Sequence, residues 1–315
     1  MRKTLLTFIP LISLICSCSN NVQTYGFFAF DTHIDFSGVN LSEENFERME
    51  EICLYLDKIS DNYQSRDYTN VYTLNHTNED VKVDKDLYDL LKAAYDVKNQ
   101  GAVNFDLMCG SLAKLWKSAL KSMQIPDESE IQNELNKIEN STLIFKEDNV
   151  IQRTGEAEID LGGYVKGYAL DKIKEYLDEN EIKTYTINAG SSSVLVGEKE
   201  DGKPYSVGIR GLNGYSFKFK NCVISTSGTL EQGVTIGDKT YSHIVNSKTG
   251  SALAQYDSVV VISKNGAFGD AMSTSLFMAS EKEMIEAELK YDIRVIAIKD
   301  NNVFYMNNDV EFDYH

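Results

Sequence analysis

The segment Ile159-Asp160-Leu161-Gly162-Gly163-Tyr164-Val165-Lys166-Gly167-Tyr168-Ala169-Leu170-Asp171 constrains this chain more than any other. It starts as a short apolar run carrying one acid and passes through a glycine pair. Val165, Tyr168, Ala169 and Ile173 then fall at helical spacing. The pattern predicts a strand-to-helix turn. Gly162 and Gly163 let backbone approach a ligand closely, because no Cβ intervenes. The helix start offers free N–H groups and the positive end of the dipole, which suits a phosphate. Lys166 lies in the first turn and Asp160 just before it. The same residues also suit a plain strand-to-helix turn whose glycines serve packing, since short glycine motifs alone do not separate the two readings.

The chain has 315 residues, of which 42% are apolar, enough for one large or two modest domains with ample core. Three prolines and no low-complexity tract argue against linkers or disordered arms. A formal charge of −17 argues against a nucleic-acid partner, which calls for a basic face. An anionic ligand here needs a local positive site or a metal. The rest of the charge reads as a soluble acidic surface.

Arg2 and Lys3 followed by the apolar run Leu5 to Ile15 read as a targeting segment too short to span a bilayer. It ends Leu14-Ile15-Cys16-Ser17-Cys18-Ser19-Asn20, which resembles the lipobox of bacterial lipoproteins. Cys18, after small Ser17 and with Ile15 three back, fits the lipidated cysteine better than Cys16 does. An ordinary cleaved signal with an incidental cysteine is the alternative. The lipobox reading divides the chain into a signal peptide over 1–18 and a domain over 19–315. It predicts an extracytoplasmic lipoprotein anchored to the membrane, on the periplasmic side of a Gram-negative cell. Cys53, Cys109 and Cys222 are widely spaced and odd in number, neither a disulfide framework nor a CxxC site, and read as small buried apolar residues.

Tyr25 to Ser37 reads as one strand of aromatic and β-branched residues. Ser42 caps a helix running to about Ile59, and a tyrosine-rich polar loop follows to Leu74-Asn75. Asp84 caps a second helix, Leu87 to Lys98, stopped by Gly101. Asn104-Phe105-Asp106 forms a turn, and helical spacing resumes at Leu112, Leu115 and Trp116. Phe105 and Trp116 suit either a flat ring ligand or the core. Ile125 to Ile138 has acidic helical spacing, and Thr142 to Phe145 with Val150 to Gln152 reads as a hairpin. Strands are expected at Thr184 to Ala189, Val194 to Val196, Tyr205 to Arg210, Cys222 to Ser225 and Val259 to Ile262. Asn188 to Ser193 and Ser225 to Thr229 offer hydroxyls and N–H groups in tight turns, for a ribose or phosphate or as turn chemistry alone.

His243 is one of four histidines and lies in a strand-like run followed by a turn. It is either a proton-transfer group near neutral pH or a structural side chain. Asp270 and Thr274 are four apart and share one helix face. They offer two hard oxygens for Mg²⁺, or serve as a cap and a helix-facing threonine.

Together these stretches resemble the ApbE family, the FAD:protein FMN transferases, over nearly all of the chain from Tyr25 onward. Asn104-Phe105-Asp106 with Trp116 is similar to the family's flavin-contacting G-x-F-D…W segment. The opening segment resembles its D-L-G-G-x-x-K-G-Y-A-x-D signature. Asn188-Ala189-Gly190, Thr226-Ser227-Gly228, and His243-Ile244 with Thr249-Gly250 resemble its N-x-G-G, T-S-G and H-I-x-x-x-x-T-G stretches. Asp270-Ala271-Met272-Ser273-Thr274 resembles its D-A-x-x-T metal motif. The chain departs from the family at three places. Phe30-Asp31-Thr32 stands where Met-Gly-Thr is usual, Ser191 replaces the second glycine of N-x-G-G, and Asn246-Ser247 falls where Asp-Pro normally follows His-Ile.

The resemblance implies an α+β fold, a single ApbE-like domain of mixed or antiparallel sheets with packed helices. It implies FAD as bound substrate, contacted by Phe30, Asn104, Phe105, Asp106, Asp160, Lys166, His243 and Ile244. It implies Mg²⁺ held by the Gly163 carbonyl, Asp270, Thr274 and Ser273. Attack on the FMN-side phosphorus by a Thr or Ser hydroxyl of an acceptor protein would release AMP, with His243 as base and Lys166 and Asp270 serving the phosphate. Acceptors in the family are redox-complex subunits with a Ser/Thr-Gly-Ala-Ser/Thr-like motif. Thr249-Gly250-Ser251-Ala252 has the wrong order for that, so the chain is expected to modify others. The rival readings are an FAD pyrophosphatase giving FMN and AMP, and a non-catalytic flavin-binding lipoprotein.

Overall fold

The strand Ser258–Ser263 is buried along its whole length. Val259 and Val261 point into one core, Val260 and Ile262 into another, as period-two alternation requires. Such a strand lies inside a sheet covered on both faces. A computed structural model of the chain describes residues 22–230 and 232–315; the expected signal peptide and Cys18 lie outside the described residues.

The first half runs β1 (Val22–Ala29), β2 (Thr32–Val39), α1 (Glu43–Ser60), α2 (Val71–Asn75), β3 (Asp80–Lys82), α3 (Lys85–Gln100), α4 (Gly110–Lys121), α5 (Glu128–Glu139), β4 (Thr142–Lys146) and β5 (Val150–Thr154). The second half opens with α6 (Val165–Glu179), β6 (Tyr185–Ala189), β7 (Ser193–Val196), β8 (Tyr205–Val207), β9 (Tyr215–Phe219) and β10 (Cys222–Gly228). It continues through β11 (Val234–Ile236), β12 (Lys239–Tyr241), β13 (Ser258–Ser263), α7 (Gly266–Leu276), α8 (Glu281–Lys290), β14 (Ile293–Lys299), β15 (Asn302–Met306) and β16 (Phe312–Tyr314). The main sheet has eight strands in the order β1-β2-β6-β7-β10-β13-β14-β15. Every pairing in it is antiparallel. Helices including α1, α6 and α7 bury one face, while β8, β9 and β16 form a small sheet over the other. The architecture is α+β, as the sequence implies.

Local signals explain most boundaries. Ser42 and Asp84 cap α1 and α3, each accepting from a backbone N–H three residues on. Gly101 ends α3 with φ 138°, where a side chain is disfavoured. The single strand expected over Tyr25 to Ser37 is instead a hairpin, with Ala29 opposite Thr32. Phe30 and Asp31 form its turn at φ 52° and 57°, the hand that suits sheet twist but normally selects Asn-Gly. Tyr205 to Arg210 keeps strand form only to Val207. Ser225 and Ser227 lie within β10 rather than in a turn.

α6 and α7 meet glycine to glycine. A Cβ on Gly167 would stand 2.1 Å from the Gly266 carbonyl oxygen, so only glycine permits this spacing.

Candidate active site

A cleft of about 950 Å³ gathers residues that lie far apart in sequence. Phe30 enters from the β1–β2 turn, and Phe105 and Asp106 from the loop before α4. Asp160, Gly163 and Lys166 come from the segment leading into α6. His243 and Ile244 follow β12, and Asp270, Ser273 and Thr274 come from α7. Among the residues expected to contact FAD or Mg²⁺, Asn104 alone is not on the wall. Its side-chain amide donates to the Ser275 carbonyl and its own carbonyl accepts from Ser247, so it fastens loops behind the cleft.

Asp270 is buried, and three donors converge on it. Gly167 N–H reaches Oδ2 at 2.6 Å, while the hydroxyls of Ser193 and Ser225 reach Oδ1 at 2.9 and 2.6 Å. Burial raises its pKa, and Lys166 followed by these donors opposes the rise. Gly167 is the third residue of α6, so its amide has no partner within the helix and is free for Asp270. The Gly163 carbonyl lies ahead of the Tyr164 cap, outside the helical ladder. Gly163 also approaches Thr274 closely: a Cβ there would lie 2.9 Å from Thr274 Oγ1.

Ser273 is buried and donates to the Asp270 carbonyl at 2.9 Å, with Ser227 Oγ 2.9 Å away. Thr274 is half-buried, with Ser227 Oγ at 3.3 Å. Thr274 is thus the freer hydroxyl of the pair. The donor set fits a small hard cation: one carboxylate oxygen with a lone pair to spare, one hydroxyl and one backbone carbonyl, all oxygen. Among the described residues no group of three His, Cys, Asp or Glu side chains is placed to hold a metal. That scarcity of carboxylates suits Mg²⁺, which keeps waters and substrate phosphate in its sphere.

Asp160 accepts from Gly162 N–H at 2.7 Å, which bends the chain ahead of α6. Asp106 pairs with Lys98 at 2.6 Å and also accepts from Met108 N–H. His243 follows β12 rather than lying in it, and its ring is exposed. Protein crowding, then Lys166 and Lys117, push its pKa down to about 4, against a smaller opposing pull from Asp160. Water on the exposed face tempers this, so the geometry fixes the direction: His243 is neutral at neutral pH.

The sequence offered Ser193, Ser225 and Ser227 as hydroxyls for a ribose or phosphate or as turn chemistry; in the structure Ser193 and Ser225 donate to Asp270, and Ser227 lies against Ser273 and Thr274. Asp171, the last acid of the opening segment, accepts from the Gly266 and Ala267 amides at 2.6 and 2.8 Å and so binds α6 to the start of α7. Burial leads the causes that raise its pKa to about 6. The tyrosine-rich loop supplies Tyr63 and Tyr68 to the cleft wall. Lys114 and Lys117 stand 5.5 and 5.7 Å from the Tyr63 ring, and Lys58 stands 3.8 Å from the Tyr68 ring. Lys114 also pairs with Glu158, and Asp57 and Asp61 share the wall, so this side of the cleft carries both signs of charge. Trp116 belongs to the core: it is 2% exposed, stacks on Tyr241 and donates to the Gly250 carbonyl at 2.7 Å.

The model of the ApbE family matches residues 29–296. The FAD:protein FMN transferase of Klebsiella pneumoniae (strain 342) is 29% identical over 251 residues, covering 75% of this chain and 77% of the relative. That of Chlamydia pneumoniae is 27% identical over 293 residues, covering 89% and 92%. The crystal structure of the ApbE protein from Thermotoga maritima superimposes with a TM-score of 0.76 at 23% identity, covering 93% of this chain and 97% of that one. The Pseudomonas stutzeri flavinyl transferase ApbE gives 0.75 at 18% identity, covering 94% and 95%.

Proposed function

The chain belongs to the ApbE family, and on that premise we propose that it is an FAD:protein FMN transferase. It moves FMN from FAD to a Thr or Ser hydroxyl of an acceptor protein carrying a Ser/Thr-Gly-Ala-Ser/Thr-like motif. The observation that carries this reading is the convergence of Gly163, Lys166 and Asp270 on one cleft, with Asp270 held by the Gly167 amide.

The acceptor hydroxyl oxygen bonds to the FMN-side phosphorus of FAD. The bond from that phosphorus to the bridging oxygen breaks, and AMP leaves with that oxygen. His243 takes the hydroxyl proton; its lowered pKa keeps it unprotonated and ready at neutral pH. Lys166 meets charge that gathers on the phosphate oxygens. Phe30 and Phe105 offer ring faces to the flavin, and Asp160 and Asp106 offer acceptors to its polar groups. Asp270, Thr274 and the Gly163 carbonyl would hold Mg²⁺, which supplies Lewis-acid charge and a template for the pyrophosphate.

The proposal extends to location. Lipid on Cys18 would anchor the chain four residues before β1, a reach of at most about 14 Å. β1 then spans about 25 Å to the Phe30–Asp31 turn on the cleft wall.

The test uses the soluble chain from Ser19 with FAD and Mg²⁺, with and without a peptide bearing the acceptor motif. Mass spectrometry follows the peptide and chromatography follows AMP and FMN. A peptide heavier by FMN, with matching AMP, is expected. AMP and free FMN regardless of peptide would instead establish the pyrophosphatase. Bound, unchanged FAD beside a competent acceptor would leave only flavin binding.

A further inference from the structure

Ser193 and Ser225 are direct cross-strand partners, paired in register between β7 and β10. Both side chains therefore stand on the same face of the sheet, close together. That face meets α7, and both hydroxyls donate to the same oxygen, Asp270 Oδ1. The serines are 1% and 0% exposed, so neither hydroxyl has water as an alternative partner. A carboxylate oxygen accepts through two lone pairs, and the two serines fill both on Oδ1. Oδ2 accepts only from Gly167 N–H and keeps one lone pair.

We infer that Ser193 and Ser225 are positioning residues that restrict Asp270 to one-oxygen coordination and so make the site prefer Mg²⁺ over Ca²⁺. The inference rests on the reading of Asp270 as a metal ligand. Mg²⁺ takes six oxygens in a tight octahedron and is satisfied with one oxygen per carboxylate. Ca²⁺ takes six to eight oxygens at longer distances and readily uses both oxygens of a carboxylate. A two-oxygen grip on Asp270 would displace a serine from Oδ1 and leave a buried hydroxyl unpaired, which opposes the larger ion. The pairing of Ser193 with Ser225 thus acts as a filter on coordination number, built from the sheet rather than from the metal's own ligands.

The test is calorimetric titration of the soluble chain with MgCl₂ and with CaCl₂, alone and with AMP, which supplies phosphate oxygens but no bond to transfer. The wild-type chain is compared with Ser193→Ala, Ser225→Ala and the double variant, each checked for fold by circular dichroism. The expected result is tighter binding of Mg²⁺ than Ca²⁺ by the wild type. The ratio of the two Kd values should shift about tenfold toward Ca²⁺ in the double variant, as changes behind metal ligands commonly do. Each single variant should shift part of the way, and these carry the test if the double variant does not fold. Ser193→Thr, which keeps the hydroxyl, should retain the wild-type ratio. A ratio unchanged in folded alanine variants would overturn the filter while leaving the metal site standing. Absence of binding of either ion by the wild type, with or without AMP, would overturn both.

Discussion

The backbone amide of Gly167 donates to Asp270 Oδ2 at 2.6 Å, tying the first turn of α6 to α7. One contact thereby does two things. It gives a buried carboxylate a charge-assisted donor, and it satisfies a first-turn amide that has no partner within the helix. The close approach that makes it possible is the Gly167–Gly266 contact between the helices.

Gly167→Ala should therefore damage fold and site together. The added Cβ would lie 2.1 Å from the Gly266 carbonyl oxygen and 2.8 Å from Asp270 Cγ, and neither is the free end of a flexible side chain. Overpacking of this kind costs about 1–3 kcal/mol or more. Thermal unfolding should show a clear drop in Tm. A variant as stable as the wild type would mean that the helices separate freely, contrary to this packing.

Asp270→Ala removes the carboxylate and strands three donors. Turnover, followed as AMP released from FAD, should fall by about 100- to 1000-fold, the usual cost of losing an electrostatic stabiliser. Undiminished AMP release would remove Asp270 from the phosphate site.

His243→Ala should slow transfer to the acceptor peptide. The pH profile of the wild type offers a sharper check. An ordinary histidine base loses activity as pH falls through about 6.5. His243 is held below that range by crowding and by Lys166 and Lys117. It stays unprotonated at lower pH, so the acid limb of kcat/KM should lie between about 4 and 6.5 and move upward in Lys117→Ala. An acid limb at 6.5 that Lys117→Ala does not move would contradict this electrostatic picture.

Asp171 predicts a stability effect of definite sign. Burial raises its pKa to about 6 in the folded chain, against 3.8 for the free side chain. Between about pH 4 and 6 the folded protein holds a proton that the unfolded chain releases. Stability from this group is present below that window and is lost as pH rises through it. The urea midpoint of the wild type minus that of Asp171→Asn should accordingly fall as pH rises from 4 to 6, then level off. A difference that grows over that window would show that the two α7 amides outweigh burial.

Legibility followed the range of the physical signal. Caps are local, so Ser42 and Asp84 announce α1 and α3 directly. The Ile159–Asp171 segment carries its own glycines and lysine, and its turn and the helix α6 were legible, but the strand expected before them is absent: β5 ends at Thr154 and Ile159 to Leu161 is irregular chain. The β1–β2 turn was not, because Phe30-Asp31 lacks the Asn-Gly that such a turn normally selects. Ser193 and Ser225 become neighbours only through pairing of β7 with β10, a contact that no periodicity within either strand encodes. Trp116 was ambiguous because an aromatic at helical spacing serves core or ligand equally, and only its bond to the Gly250 carbonyl decides. The site's ends were thus readable from motifs, and its inner hydrogen bonds were not.

Ser191 shows how a departure from the family pattern can be weighed. It sits at φ 61° in the β6–β7 turn, where the family's glycine would be unstrained, and its amide donates to Asn188 Oδ1 at 2.8 Å. A side chain in this left-handed region costs about 1–2 kcal/mol. Ser191→Gly relieves that strain but adds freedom to the unfolded chain, worth about 0.4–1 kcal/mol. The net change should be a stabilisation of up to about 1.5 kcal/mol. Ser192, one residue on, is not in the left-handed region. Ser192→Gly gains no relief and should destabilise by about the entropic term alone. Urea unfolding of the two variants should therefore move in opposite directions. If both fell together, the Asn188 bond to the Ser191 amide, rather than the residue's own φ preference, would be what fixes the turn.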